Sequence, residues 1–270
     1  SKSSTSSVSK VVAVCLLMIL TSGGGTFKLI STTRAMSTST AQNSSSGKSA
    51  ALIFLHGLGD TPAGWNFLQQ QLPTLRQSLS KLHYVFPPAP TIGITINGGM
   101  KMPGWFDLYD WPIGISAKDD AKGQLDSVKQ INECIAQVTE QHGIPRNRIV
   151  VGGFSQGGAI ALLAAYHESS SSNEDQPPLA GCVALSGWLT LRDQIKPSPS
   201  VPLFWGHGQY DDKVLFEQQP HGVQLLKEKG ATVTSTSYPM GHQGCEEEFE
   251  NMATFLDELL FSQEGKQDEL

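Results

Sequence analysis

Ser155 is fenced by glycines in the run Gly153-Phe154-Ser155-Gln156-Gly157. The pattern is G-x-S-x-G, and its chemistry would be nucleophilic: an alcohol attacks a carbonyl and keeps the acyl group as an ester. As a bare string the pattern is weak. Its setting strengthens it, because Ile149–Phe154 reads as a buried strand and Gln156–His167 as a helix, with the serine at the turn between them. Glycines there permit a strained turn and keep Cβ atoms off the neighbouring chain. The helix start also offers unpaired N–H groups that favour negative charge developing on a substrate. A serine that merely caps the helix would occupy the same place. A cap, however, does not require glycine on both sides.

A serine hydroxyl is inert at neutral pH unless a base takes its proton and a carboxylate orients that base. In α/β-hydrolases the chain order is serine, acid, histidine. His167, His207, His221 and His242 follow Ser155. His167 lies three turns along the helix that the serine opens and faces the wrong way. His207 follows an expected strand and His221 precedes an expected helix, and either reads as an ordinary polar residue. His242 sits in the loop between the last expected strand and the last helix, from which an imidazole reaches over the sheet edge. Asp211 and Asp212 occupy the loop after the Val201–Trp205 strand, and position alone does not choose between them.

The loop His56-Gly57-Leu58-Gly59-Asp60 directly follows the apolar run Ala51–Leu55. Backbone N–H groups there supply half an oxyanion hole, and the N–H of Gln156 supplies the other half. A plain strand-to-helix turn capped by Asp60 or Thr61 is compatible with that role. Farther along, Ile92, Ile94 and Ile96 alternate, and Gly98, Gly99, Met100 and Met102 lead to Trp105, Phe106 and Trp111. The segment reads as an adaptable apolar flap over the serine, with Ile92, Ile94 and Met100 as acyl-chain contacts. Trp105 and Phe106 are expected in the core. Each buried methylene contributes about 0.8 kcal/mol, so such a flap favours long chains.

Elements that would position these groups alternate along residues 50–262. Strands are expected at Ala51–Leu55, Leu82–Phe86, Ile149–Phe154, Leu179–Leu185, Val201–Trp205 and Thr232–Tyr238. Helical spacing marks Trp65–Leu75, Gln124–Gln141, Gln156–His167, Val223–Lys229 and Glu246–Leu260. This order predicts one α/β domain with a mostly parallel sheet and helices on both faces. The chain has 270 residues, 39% hydrophobic and 16% charged, enough for a sizeable core. Residues 1–59 hold five basic side chains and no acid, which leaves the remainder near a formal charge of about −11. Such a body repels a phosphate backbone, so nucleic acid is not an expected partner. Four widely spaced cysteines show neither a disulfide framework nor zinc spacing, and no metal or organic cofactor is called for.

Residues 1–49 read either as a leader or as a disordered tail. Val11–Leu20 is an apolar run too short to span a bilayer but suited to a signal-peptide core, and residues 24–49 are Ser/Thr-rich and basic. The tail 263–270 ends Gln267-Asp268-Glu269-Leu270, one position away from an endoplasmic-reticulum retention signal.

Six blocks in order, HGLGD (56–60), PGWFD (103–107), GIPRNRIVVGGFSQGG (143–158), LSGWL (185–189), HGQYDDKV (207–214) and MGH (240–242), resemble the acyl-protein thioesterase branch of the phospholipase/carboxylesterase family. The resemblance implies an α/β-hydrolase fold with a minimal cap and hydrolysis of fatty acyl thioesters on proteins. Side activity on lysophospholipids and small esters goes with it; a carboxylesterase confined to small esters and a non-catalytic hydrolase-fold binding protein are the alternatives. It also implies Ser155 as nucleophile, His242 as base and Asp211 as acid, the second aspartate of an H-G-D-x-D-P motif. Gln209 and Asp212 replace that motif's first aspartate and its proline, and the added charge beside Asp211 is expected to raise the imidazole's basicity. Leu58 and Gln156 match the backbone oxyanion donors, and Trp188 an aromatic residue bordering the site. The implied partners are an S-acylated protein or acyl ester and, transiently, a membrane surface, for a monomer or weak homodimer. The family implies the cytosol, whereas the leader and tail point to an organelle or the endoplasmic reticulum.

Overall fold

In β1 (Ala50–Leu55) every residue is buried. Ala51, Ile53 and Leu55 enter one apolar cluster, and Ala50, Leu52 and Phe54 enter another. Successive strand side chains point to opposite faces, so a strand covered on both sides reads as an unbroken apolar run. The same division recurs in β5 (Ile149–Phe154), where Ile149 and Val151 join the first cluster and Val150 the second. These assignments come from a computed structural model that describes residues 49–167 and 177–262. The expected leader, Ser49 apart, and the expected tail lie outside the described residues.

The central sheet has six strands in the order β2 (Leu82–Val85), β1, β5, β6 (Gly181–Leu185), β7 (Leu203–Gly208) and β8 (Val233–Tyr238). Every neighbouring pair is parallel. Helices α2 (Ala121–His142), α3 (Gln156–Tyr166) and α4 (Gln218–Glu228) contribute to the first cluster, α1 (Leu68–Leu75) and α5 (Glu246–Phe261) to the second. Helix α3 is buried almost all round, as its uniformly apolar sequence requires. Between β2 and α2, β3 (Thr91–Ile94) and β4 (Met100–Pro103) pair antiparallel as a separate hairpin. This is the segment read as a flap.

Several boundaries differ from the expected ones for local reasons. Helix α2 starts at Ala121, because the Asp120 carboxylate accepts the Gly123 N–H at 3.1 Å and caps it. Strand β7 runs to Gly208 instead of ending at Trp205, so His207 lies inside the strand. Strand β8 pairs with it as far as Gly208–Tyr238. The β7 glycines are small because a Cβ at Gly206 would overlap Glu248 Oε1, and one at Gly208 the Gly241 carbonyl. Helix α4 starts at Gln218, which places His221 within it. Pro220 falls in the first turn, where its missing N–H is not needed.

Candidate active site

Ser155 directly follows β5 with φ 55° and ψ −121°, a conformation costly for a residue with a side chain. Close packing enforces it. A Cβ at Gly153 would overlap the Gly157 carbonyl, and one at Gly157 the Leu55 carbonyl. The Ser155 N–H donates to Leu185 O at 2.8 Å, which pins the turn to β6. Strain of about 1–3 kcal/mol persists only where such surroundings over-determine the backbone. The serine itself is 9% exposed.

The loops after β7 and β8 bring two further groups to that hydroxyl. Ser155 Oγ lies 2.9 Å from His242 Nε2, and His242 Nδ1 lies 2.7 Å from Asp211 Oδ2. An ionised carboxylate only accepts, so Nδ1–H donates to it and Nε2 is free to accept the serine proton. Backbone bonds fix both loops, with Gln209 N–H on Tyr238 O at 2.8 Å and Tyr210 N–H on Met240 O at 3.0 Å. Burial alone would raise the Asp211 carboxyl. The hydrogen bond and charge of His242, the Lys213 N–H and nearby His207 outweigh burial and hold it below the usual range. Its Oδ1 accepts the N–H groups of Lys213 and Val214, each at 2.9 Å. Asp212, the alternative left open by position, faces solvent and pairs with Lys213 Nζ at 3.1 Å. Its charge is therefore exposed to solvent and ion-paired with Lys213.

His207 takes a part that its sequence position concealed. Its Nε2–H donates to Val214 O at 2.9 Å and lies 3.5 Å from Asp211 Oδ2. Burial lowers its pKa, so it is a neutral imidazole packed behind the carboxylate. Only the β7–β8 pairing that carries the strand past Trp205 reveals this. His167 instead caps the far end of α3 with Nε2 2.9 Å from Gln194 Oε1, and His221 rides on α4. The structure brings neither to the serine.

On the other side of Ser155, a Cβ built at Gly57 would lie 3.4 Å from the serine Cβ, so the 56–60 loop runs beside it. Among the described residues the Leu58 N–H donates to no backbone acceptor, and the Gln156 N–H begins a helix, where no intrahelical partner exists. Leu58, Ile92 and Ile94 converge over Gly104 at 2.9–3.4 Å from its built Cβ. Trp188 is buried with its ring 5.8 Å from that of Phe106. Met100 departs from expectation. It is 55% exposed on the hairpin, although the β3–β4 register sets it opposite the buried Ile94. Met102 is the methionine that reaches the loop, with its sulfur 3.8 Å from a Cβ built at Gly59.

Comparison with known proteins agrees with this geometry. The sequence profile of the family described as Phospholipase/Carboxylesterase matches residues 36–260. The chain belongs to the phospholipase/carboxylesterase family. Acyl-protein thioesterase 1 of Mycosarcoma maydis is 39% identical over 231 residues, 79% of this chain and 92% of that protein. The Neurospora crassa protein of the same name is 39% identical over 78% of this chain and 87% of its own length. Among solved structures, Arabidopsis thaliana SOBER1 superposes with a TM-score of 0.69 at 30% identity, covering 78% of this chain and 99% of that one. Zea mays acyl-protein thioesterase 2 gives 0.66 at 32% identity, covering 78% and 94%. These relatives place it in the acyl-protein thioesterase branch, and it is a hydrolase with the α/β-hydrolase fold.

Among the described residues, no three His, Cys, Asp or Glu side chains are grouped to hold a metal ion. No described helix is long and apolar enough to cross a membrane.

Proposed function

We propose that this hydrolase cleaves fatty acyl thioesters, and related carboxylic esters, through an acyl-enzyme on Ser155. The observation that carries the reading is the continuous hydrogen-bonded line from Ser155 Oγ through His242 to Asp211. Relatives named for acyl-protein thioesterase activity support an S-acylated protein as the substrate. In this mechanism His242 Nε2 takes the serine proton as Oγ attacks the acyl carbonyl. Asp211 fixes the tautomer and stabilises the imidazolium that forms. The N–H groups of Leu58 and Gln156 receive the charge on the tetrahedral oxygen. His242 then gives its proton to the leaving thiol or alcohol, takes one from a water that attacks the acyl-enzyme carbonyl, and returns it to Ser155 Oγ as the fatty acid leaves. The acyl chain lies along Leu58, Ile92 and Ile94, with Trp188 behind Phe106.

The test is Ser155→Ala assayed on an S-palmitoylated peptide and on p-nitrophenyl esters of increasing chain length. Turnover is expected to fall by about 10⁴- to 10⁶-fold while the circular dichroism spectrum is unchanged. Near-normal rates in that variant would refute the nucleophile. Wild-type turnover confined to short esters would move the substrate to the small-ester alternative. Fluorophosphonate labelling followed by fractionation of cells reads whether the protein resides in the cytosol or in an organelle.

A further inference from the structure

The segment Pro103–Phe106, at the exit of β4, is hydrogen-bonded to both expected oxyanion donors' loops. On one side, the Gly59 N–H donates to Pro103 O at 2.7 Å and the Trp105 indole N–H donates to His56 O at 2.8 Å. On the other, the Trp105 N–H donates to Gln156 Oε1 at 2.8 Å and Gln156 Nε2 donates to Phe106 O at 2.7 Å. The Gln156 amide therefore pairs with a dipeptide as a neighbouring strand would. Gln156 is 0% exposed and Trp105 1%. From α2, the Ser127 hydroxyl donates to Trp105 O and holds the segment from behind.

We propose that Pro103–Phe106 is a brace that sets the spacing of the Leu58 and Gln156 N–H donors, with the side chains of Gln156 and Trp105 as its positioning residues. This rests on the hydrolase reading above. Donation from the backbone of residue 156 needs no particular side chain. A methionine or leucine would fill the same volume, but only glutamine offers a donor and an acceptor to the 105–106 backbone. Phenylalanine at 105 would likewise keep a ring without the bond to His56. The 56–60 loop needs such an external tie, because Gly59 sits at φ 77° and Gly57 carries no side chain to anchor it. His56 reinforces the loop locally, donating from Nδ1 to Gly57 O at 2.8 Å and accepting the Ala89 N–H on Nε2 at 3.2 Å. The brace also adjoins Gly104, over which Leu58, Ile92 and Ile94 close. Acyl-chain contacts and donor spacing thus share one segment. Oxyanion donors work only when held at about 2.7–3.1 Å from the developing charge, and a misplacement of about 1 Å costs on the order of 10²-fold in rate.

The experiment compares Gln156→Met, Trp105→Phe and the double variant with wild type on p-nitrophenyl acetate and octanoate. Thermal melting and inhibition by an alkyl trifluoromethyl ketone, which forms a tetrahedral oxyanion on the serine, are measured alongside. Each single variant is expected to lose about 10- to 100-fold in kcat with KM within about threefold. Ketone affinity falls by the same factor as kcat/KM, and the double variant loses less than the product of the singles. If Gln156→Met melts early, Trp105→Phe is read alone. Unchanged kcat in a folded variant, a loss confined to KM for octanoate, or unchanged ketone affinity overturns the brace. Wild-type turnover with matching variants sinks the brace alone, whereas wild type without esterase turnover sinks the hydrolase reading with it.

Discussion

Two carboxyl groups are buried near β7 in opposite protonation states. Asp211, 5% exposed beyond the strand's end, is met by His242 Nδ1, by two backbone N–H groups and, at 3.5 Å, by His207. Glu248, 0% exposed on α5, lies against Gly206, and neither oxygen has a hydrogen-bond partner among the described residues. Burial raises the Glu248 carboxyl to about 8, whereas donors and charge keep Asp211 below the ordinary range despite its burial. Depth in the protein therefore does not decide the charge; the donors do. An acid that must hold an imidazole and stabilise its cation has to be an anion. Of the two, only Asp211 has surroundings that keep it one.

The largest effect that sharpens this contrast is Asp211→Asn. An amide at 211 can no longer hold the His242 tautomer that accepts the serine proton, and kcat/KM on octanoyl or palmitoyl esters is expected to fall by about 10⁴-fold. A loss below tenfold would break the contrast at its functional end.

Glu248→Gln tests the other end through stability. In the folded state Glu248 keeps its proton up to about pH 8, while an ordinary glutamate releases it near 4.5. The fold thus binds a proton that the unfolded chain does not, and stability falls as pH rises between those values. At about 1.4 kcal/mol per unit, the loss amounts to a few kcal/mol across that window. The amide of the variant does not titrate, so urea unfolding at pH 5.5 and 8.5 is expected to show wild type losing stability relative to it. A buried amide also lacks partners, so the change of the difference with pH, rather than its size at one pH, is the readout. A difference that stays constant with pH would mean that Glu248 is not buried as a neutral acid.

The contrast also marks what could be read from residues alone. Apolar runs gave the buried strands, because β1 and β5 are covered on both faces and show no alternation. Ser155 and the Gly153 and Gly157 that flank it were legible because the turn excludes every larger side chain by backbone contact. His207 was not. Whether it ended a strand depended on β8 pairing past two glycines, a long-range fact with no local signature. Met100 was not legible either: alternation puts it on the hairpin face that Met102, Ile92 and Ile94 share, and its 55% exposure has no local signature. Glu248 carries no warning at all, since a glutamate in a helix's first turn is an ordinary dipole partner until tertiary packing closes over it.

Asp212→Asn is the smallest expected effect and closes the comparison from inside one loop. Asp212 is the direct chain neighbour of Asp211, yet its side chain is 73% exposed and, among the described residues, it pairs with the half-exposed Lys213. Exposed pairs of this kind are worth about 0–1 kcal/mol. The Lys213 N–H, not its ammonium, binds Asp211, so losing the surface pair leaves the backbone cradle intact. kcat/KM is expected to stay within about twofold of wild type, and adding about 0.5 M salt to wild type should reproduce whatever change appears, because it screens the same charge. A loss comparable to that of Asp211→Asn would mean that the loop presents the other carboxylate to His242 in solution. One residue of register in a loop, rather than the number of acids in it, would then decide which carboxylate stays charged and useful.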